Sequence, residues 1–260
     1  METEYIKGKN GYDIPYYINL PQDAKKIIIA AHGFGSSKGS PTVLMLLEKM
    51  PPLGIGVLGY DHPNHGESAS GPEGLRIDKC ISDLGSVEEF VAENWPQAEI
   101  CYFASSFGAY ITLQYLAGCR HRGTKAFLRS AAVNMPVLFS EPTPEQQEAL
   151  RRDGRVQLEG YEPPLVITSG FVDDMNSHDL FDICERAGAG GGKVGGTQIA
   201  MIHGSCDSTI DPAEARRFAD MFGIPITMVP GAEHRLMEEG QPEMVFEKAR
   251  ELYSGTESQK

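Results

Sequence analysis

The sequence predicts an α/β fold, a mostly parallel sheet with helices on both faces. Three observations carry this expectation. Short apolar runs alternate with helix-length segments along nearly the whole chain, as strand–helix–strand units require. The runs are apolar at successive positions, not alternate ones, which suits strands buried on both faces. Caps and breakers punctuate the junctions.

Taken in order, segments 5–9 and 15–20 flank Gly11 and read as an opening hairpin. The strand-like runs that follow are 26–31, 56–60, 99–104, 126–132, 197–203 and 225–229. Between them lie the helix-like segments 40–50, 78–94, 107–120, 211–222 and 241–253. Ser40-Pro41 pairs an N-cap with proline at the first helical position, and Asp211-Pro212 repeats the device. Gly223-Ile-Pro225 ends a helix with a left-handed residue and a breaker. The segment 135–164 breaks the alternation. It holds Glu141-Pro-Thr-Pro, a charged stretch 145–155 and Pro163-Pro164, and reads as an insertion into the core. Segment 188–196 has six glycines in nine residues and reads as a flexible loop; Val194 follows Lys193 where a phosphate-binding loop needs Ser or Thr.

Composition narrows the function classes. The 260 residues carry 23 basic and 36 acidic side chains, a net charge of −13. That balance argues against nucleic-acid and anionic-membrane partners, which need a basic face, and mildly disfavours polyanionic substrates. The 41% hydrophobic content is that of an ordinary globular protein. Five cysteines at no metal-ligand spacing suggest free, mostly buried thiols in a reducing compartment. The polar opening Met1-Glu-Thr-Glu and the lack of a long apolar run lead to a cytoplasmic expectation.

Four stretches carry chemistry. Ala104-Ser105-Ser106-Phe107-Gly108 stands at a strand-to-helix junction and varies the small-x-Ser-x-small elbow, which would hold the Ser106 hydroxyl clear of the sheet. An N-cap serine would look the same. His32-Gly33-Phe34-Gly35 follows the strand 26–31 and could bring a backbone N–H, that of Phe34, beside the N–H of Phe107 as an oxyanion hole. Its Gly-x-Gly could also open a dinucleotide loop, but Lys38 occupies the third small position. Asp207 follows the strand 197–203 and His234 follows 225–229, both at the carboxyl edge where open α/β sheets bind ligands. Alone, each reads equally as a loop residue. In the order Ser106, Asp207, His234 they form a nucleophile, acid and base set, because a serine hydroxyl attacks only when a histidine takes its proton.

The stretches HGFGSS (32–37), YDHPNHGES (60–68), FASSFGAY (103–110), AAVNMP (131–136), HGSCDSTIDP (203–212) and GAEHRL (231–236) resemble the α/β-hydrolase superfamily, and within it the small lidded bacterial esterases of the cinnamoyl and feruloyl type. The resemblance implies an eight-stranded core over 1–133 and 177–260 with an inserted lid over 134–176. It implies Ser106, Asp207 and His234 as triad, the Phe34 and Phe107 amides as oxyanion hole, and structural roles for Asp61 and His65-Gly66. Phe139, Tyr161, Phe171 and Asp173 are the candidate substrate contacts in or beside the lid, although the aromatic residues could equally form the lid's own small core. The lid carries no signature of a particular acyl or phenolic group. The expected activity is hydrolysis of small soluble carboxylic esters through an acyl-enzyme, with no metal or cofactor. A peptidase or thioesterase on the same fold is the rival, and a silent binding protein a more distant one. The oligomeric state stays open, a homodimer included.

Overall fold

The computed structural model describes residues 1–138, 142–161 and 164–255. In chain order the strands are Glu4–Lys7 (β1), Asp13–Asn19 (β2), Lys26–Ala31 (β3), Ile55–Tyr60 (β4), Glu99–Ser105 (β5), Lys125–Arg129 (β6), Arg155–Leu158 (β7), Leu165–Thr168 (β8), Lys193–Val194 (β9), Thr197–Gly204 (β10) and Ile226–Val229 (β11). The main sheet runs β1-β2-β4-β3-β5-β6-β10-β11, the expected eight strands, and the two-residue β9 pairs antiparallel with β10. β1 and β2 form the antiparallel opening hairpin, β2 meets β4 antiparallel, and from β4 onward the main path is parallel.

β3 lies near the centre and shows why the run Ile27 to Ala31 is apolar throughout. Ile27 and Ile29 enter one core cluster and Ile28 and Ala30 the other, all at 0% exposure. Each buried isoleucine contributes about 1.5–3 kcal/mol relative to exposure. The first face is covered by Ile77–Asn94 (α2), Phe107–Gly118 (α3), Leu180–Arg186 (α7) and Pro212–Phe222 (α8), the second by Pro41–Lys49 (α1) and Gln241–Ser254 (α9). The Ser40 hydroxyl caps α1 by accepting from the Val43 N–H, and Asp211 caps α8 through the Ala213 N–H. Residues Phe107 through Leu116 of α3 are all buried, since the sheet lies beneath the helix and α2 and α7 above it.

The segment between β6 and α7 holds Met135–Leu138 (α4), Pro144–Asp153 (α5), the antiparallel pair β7–β8 and Ser169–Asn176 (α6). A capping box of Thr143 and Gln146 starts α5, and Gly154 at φ 67° ends it. Several hydrogen bonds tie the segment to the core. The Asn64 side-chain amide donates to the Val166 carbonyl at 2.9 Å, and Asp174 accepts from the Ile77 N–H at 2.5 Å.

The glycine run 188–196 differs from the flexible loop expected. It is a succession of hydrogen-bonded turns, with the Gly190 N–H on the Lys193 carbonyl at 3.0 Å and the Ile199 N–H on the Gly192 carbonyl at 2.8 Å. Gly195, at φ 56°, packs so closely on α3 that a Cβ would stand 2.0 Å from the Leu116 carbonyl oxygen. Cys80, Cys101 and Cys184 are buried, Cys119 and Cys206 exposed, and all are free thiols. Among the described residues no helix is long and apolar enough to cross a membrane.

Candidate active site

Ser106 stands between β5 and α3 with φ 51° and ψ −114°. Such a conformation costs a non-glycine residue about 1–3 kcal/mol, so its surroundings must impose it. The Ser106 N–H donates to the Arg129 carbonyl at 2.9 Å, and its carbonyl accepts from Ala109 N–H at 3.0 Å and Ala132 N–H at 3.3 Å. Gly108 explains the small residue after the turn. A Cβ there would lie 2.5 Å from the carbonyl oxygens of both Ala31 and His32, so only glycine lets α3 start this close to the end of β3.

Asp207 and His234 come from loops after β10 and β11 that lock to each other. The Cys206 N–H donates to the Ala232 carbonyl at 3.0 Å, the Gly231 N–H to Ser205 Oγ at 2.8 Å, and the Ser208 hydroxyl to Glu233 at 2.9 Å. Ser130 adds a fourth tie, its hydroxyl donating to the His234 carbonyl at 2.7 Å. The three side chains then form a relay. His234 Nδ1 lies 2.8 Å from Asp207 Oδ2, and Nε2 lies 3.0 Å from Ser106 Oγ. A carboxylate only accepts, so Nδ1 carries the proton and Nε2 is left to accept from the serine hydroxyl.

Asp207 is 5% exposed. Burial pushes its carboxyl up, but hydrogen bonds from His203, His234 and the Ile210 N–H outweigh it and hold the group well below the usual carboxylate range. His203 is the unexpected member. Its Nε2 lies 3.0 Å from the same Oδ2 that His234 uses and 3.3 Å from the Ile210 carbonyl, so with two acceptors in front of it Nε2 must carry the proton.

The loop after β3 lies against Ser106: a Cβ on Gly33 would be 3.3 Å from Ser106 Cβ. The Phe34 ring packs on Phe107 at 5.5 Å and Phe171 at 5.9 Å, fixing the loop beside the first turn of α3. Beneath it lies a cluster of rings, His32, His62 and His65, with His62 at 5.5 Å from Phe107. His32 Nδ1 donates to the Gly33 carbonyl at 2.8 Å while Nε2 accepts from the His62 N–H at 3.1 Å, so this ring is neutral. Lys38 donates to Asp61 at 2.8 Å with both side chains nearly inaccessible, and Asp61 also accepts from the Lys38 and Glu67 amides. Gly66 closes this loop, since a Cβ would sit 2.4 Å from the Asp61 carboxylate. Lys38, the residue that breaks the dinucleotide pattern, thus neutralises a buried acid.

A cleft of about 460 Å³ opens over Ser106, lined among others by Phe34, Tyr161, His234, Arg129 and Arg235. Of the expected substrate contacts, Tyr161 lines it, its ring 6.1 Å from Phe34. Phe171 does not. It is 0% exposed, packed behind Phe34 and Phe107 as core. Asp173 is exposed on α6 and is not among the described residues lining the cleft, while its neighbour Asp174 turns inward to hold the start of α2. Phe139 lies outside the described residues. Arg129 and Arg235 were not anticipated, although an arginine directly after the apolar run Ala126–Leu128 was a visible signal. Burial draws the Arg129 guanidinium down to about 10, with Asp207 opposing and Arg235 adding to the effect, so it remains a cation at neutral pH.

Solved structures share this architecture. Est1E from Butyrivibrio proteoclasticus with bound ferulic acid is 16% identical over 97% of this chain and 100% of its own, with a TM-score of 0.78. A soluble variant of monoglyceride lipase from Saccharomyces cerevisiae, in complex with a substrate analogue, is 15% identical over 99% and 96%, with a TM-score of 0.77. Alpha/beta hydrolase domain-containing protein 10 from mouse is 15% identical over 98% and 99%, with a TM-score of 0.76. At such identities the likeness is one of fold. No curated protein matches the chain significantly. The family model described as serine aminopeptidase, S33 matches residues 22–241, and the chain belongs to that family of α/β-hydrolases.

Proposed function

We propose that this protein is a serine esterase that cleaves small soluble carboxylic esters through a covalent acyl-enzyme. The observation that carries the reading is His234, hydrogen-bonded to Ser106 Oγ at 3.0 Å through Nε2 and to Asp207 at 2.8 Å through Nδ1. In the reaction Ser106 Oγ bonds to the ester carbonyl carbon as its proton passes to His234 Nε2. The carbonyl oxygen becomes an oxyanion, accepting from the Phe34 and Phe107 N–H groups, and Asp207 stabilises the imidazolium. Collapse breaks the bond to the alcohol oxygen, which leaves with the proton from Nε2. Water then attacks the acyl carbon while giving a proton to Nε2. That proton returns to Ser106 Oγ as the carboxylic acid departs.

The family description raises aminopeptidase activity as a second reading. An aminopeptidase must seat the α-ammonium of its substrate close to the scissile bond, and a carboxylate is the natural partner. The cleft beside Ser106 presents Arg129 and Arg235 instead and no acidic residue among its described lining, which favours an ester.

A fluorophosphonate probe should label the wild-type protein and not Ser106→Ala, and p-nitrophenyl esters of rising chain length, with methyl ferulate beside them, should rank the acyl preference. An unlabelled wild type, or equal ester turnover by Ser106→Ala, overturns the assignment. Faster cleavage of aminoacyl anilides than of matched esters would favour the peptidase.

A further inference from the structure

Arg129 is 8% exposed, yet its guanidinium forms no hydrogen bond or ion pair with any described residue. Buried arginines are almost always paired, because five N–H donors and a full charge are costly to strip of water. Asp207, whose charge acts on Arg129, is already occupied: Oδ2 serves His203 and His234, and Oδ1 accepts from the Thr209 and Ile210 amides at 2.9 and 2.8 Å. Glu243, in the groove on the other side of Arg129, lies 3.8 Å from Lys49. A second cation, Arg235, follows the candidate base His234; it is exposed, unpaired among the described residues, and lines the same cleft. No Asp or Glu appears among the described residues of that lining. A protein with a net charge of −13 therefore lines the cleft over its candidate nucleophile with two arginines unpaired among the described residues, and with no acid among that described lining.

Taking the esterase reading as given, we propose that the substrate is an anionic ester, and that Arg129, assisted by Arg235, binds its carboxylate or phosphate group. A guanidinium offers parallel N–H donors matched to two oxygens of either group, and partial burial strengthens the contact. The backbone sets the reach. Arg129 pairs with Ser105, the neighbour of the nucleophile, and its carbonyl accepts from the Ser106 N–H, so the cation springs from the strand beside the reacting centre. The anionic group is thus held only a few bonds from the ester, as in the half-ester of a short dicarboxylic acid. The net negative charge of the protein does not attract such a substrate at long range, which leaves its recognition to these two side chains.

The test compares kcat/KM for p-nitrophenyl hemiglutarate with that for the neutral p-nitrophenyl pentanoate. p-Nitrophenyl 4-phosphonobutyrate probes phosphate, and 4-carboxyphenyl butyrate against phenyl butyrate probes an anion on the alcohol side. The wild type should favour the anionic member of at least one pair, and Arg129→Gln should lower that anionic-to-neutral ratio about 10- to 100-fold, as expected for a hydrogen bond to a charged group. Arg235→Gln should lower it less, and Arg129→Lys should retain part of it. A wild-type ratio at or below one in every pair overturns the proposal while leaving the esterase reading intact. So does an equal loss on both members in Arg129→Gln, which would assign Arg129 to the field around Asp207 alone. Binding is read separately as the rise in Tm that glutarate or inorganic phosphate gives to Ser106→Ala protein, a rise that Arg129→Gln should remove. Absence of ester turnover would sink the esterase reading; absence of both the shift and the preference would sink the anion site.

Discussion

Lowering the pH from 7.5 to 5.5 should destabilise the fold by about 4 kcal/mol through His32, His62 and His65 alone. All three rings are buried beneath Phe34 and Phe107. Burial draws His32 down to about 4 and His65 to about 3, and together with its histidine neighbours takes His62 well below the ordinary value. The geometry gives the same direction, since His32 Nε2 must accept the His62 N–H and both ring nitrogens of His62 lack a hydrogen-bond partner among the described residues. The folded protein therefore keeps these rings neutral, while the unfolded chain protonates them below about pH 6.5. Stability is full above that value and falls as pH drops towards the depressed folded values. At one unit below 6.5 each histidine costs about 1.4 kcal/mol, and three cost about 4. Urea unfolding at pH 7.5, 6.5 and 5.5 measures the loss. His62→Phe, which removes no hydrogen bond from the ring, should abolish about a third of the slope. Stability that stays flat to pH 5.5, or a slope unchanged in His62→Phe, would refute the neutral cluster.

Three further outcomes are expected. Ser106→Gly and Ser106→Ala should both be inactive, but the glycine variant should be the more stable by about 1 kcal/mol, the strain relieved less glycine's greater unfolded freedom; a difference in Tm of about 2–4 °C would register it, and an equal or lower Tm for glycine would remove the strain. Lys38→Met strands the buried Asp61 carboxylate and should cost about 3–5 kcal/mol by denaturant unfolding, with part recovered in the double variant with Asp61→Asn. His203→Leu takes one donor from Asp207 Oδ2 and should lower kcat/KM roughly 10-fold, with partial rescue by His203→Gln, whose amide still donates; unchanged ester turnover in His203→Leu would show that His234 needs no second donor on its carboxylate.

The sequence by itself determined the order of strands and helices, because an apolar run such as 26–31 is tolerated only in a strand covered on both sides, and caps such as Ser40-Pro41 act locally. It also marked Ser106, Asp207 and His234, since each follows a strand at the edge where the loops converge. Where a side chain points was another matter. Asp173 and Asp174 are adjacent in sequence, and only the packing of α6 on the start of α2 turns one outward and the other onto the Ile77 amide. Phe171 became core and not cleft for the same reason. His203 and Arg129 are the sharpest cases. Their surroundings depend on contacts with residues distant in the chain or across the sheet, such as the donors that already fill Asp207, and on a cleft with no acid among its described lining. Local pattern carries the periodicity of burial, but pairing and the lack of it are properties of three-dimensional neighbours, so the charge environment of the candidate nucleophile was decided only when the sheet brought β5, β6, β10 and β11 side by side.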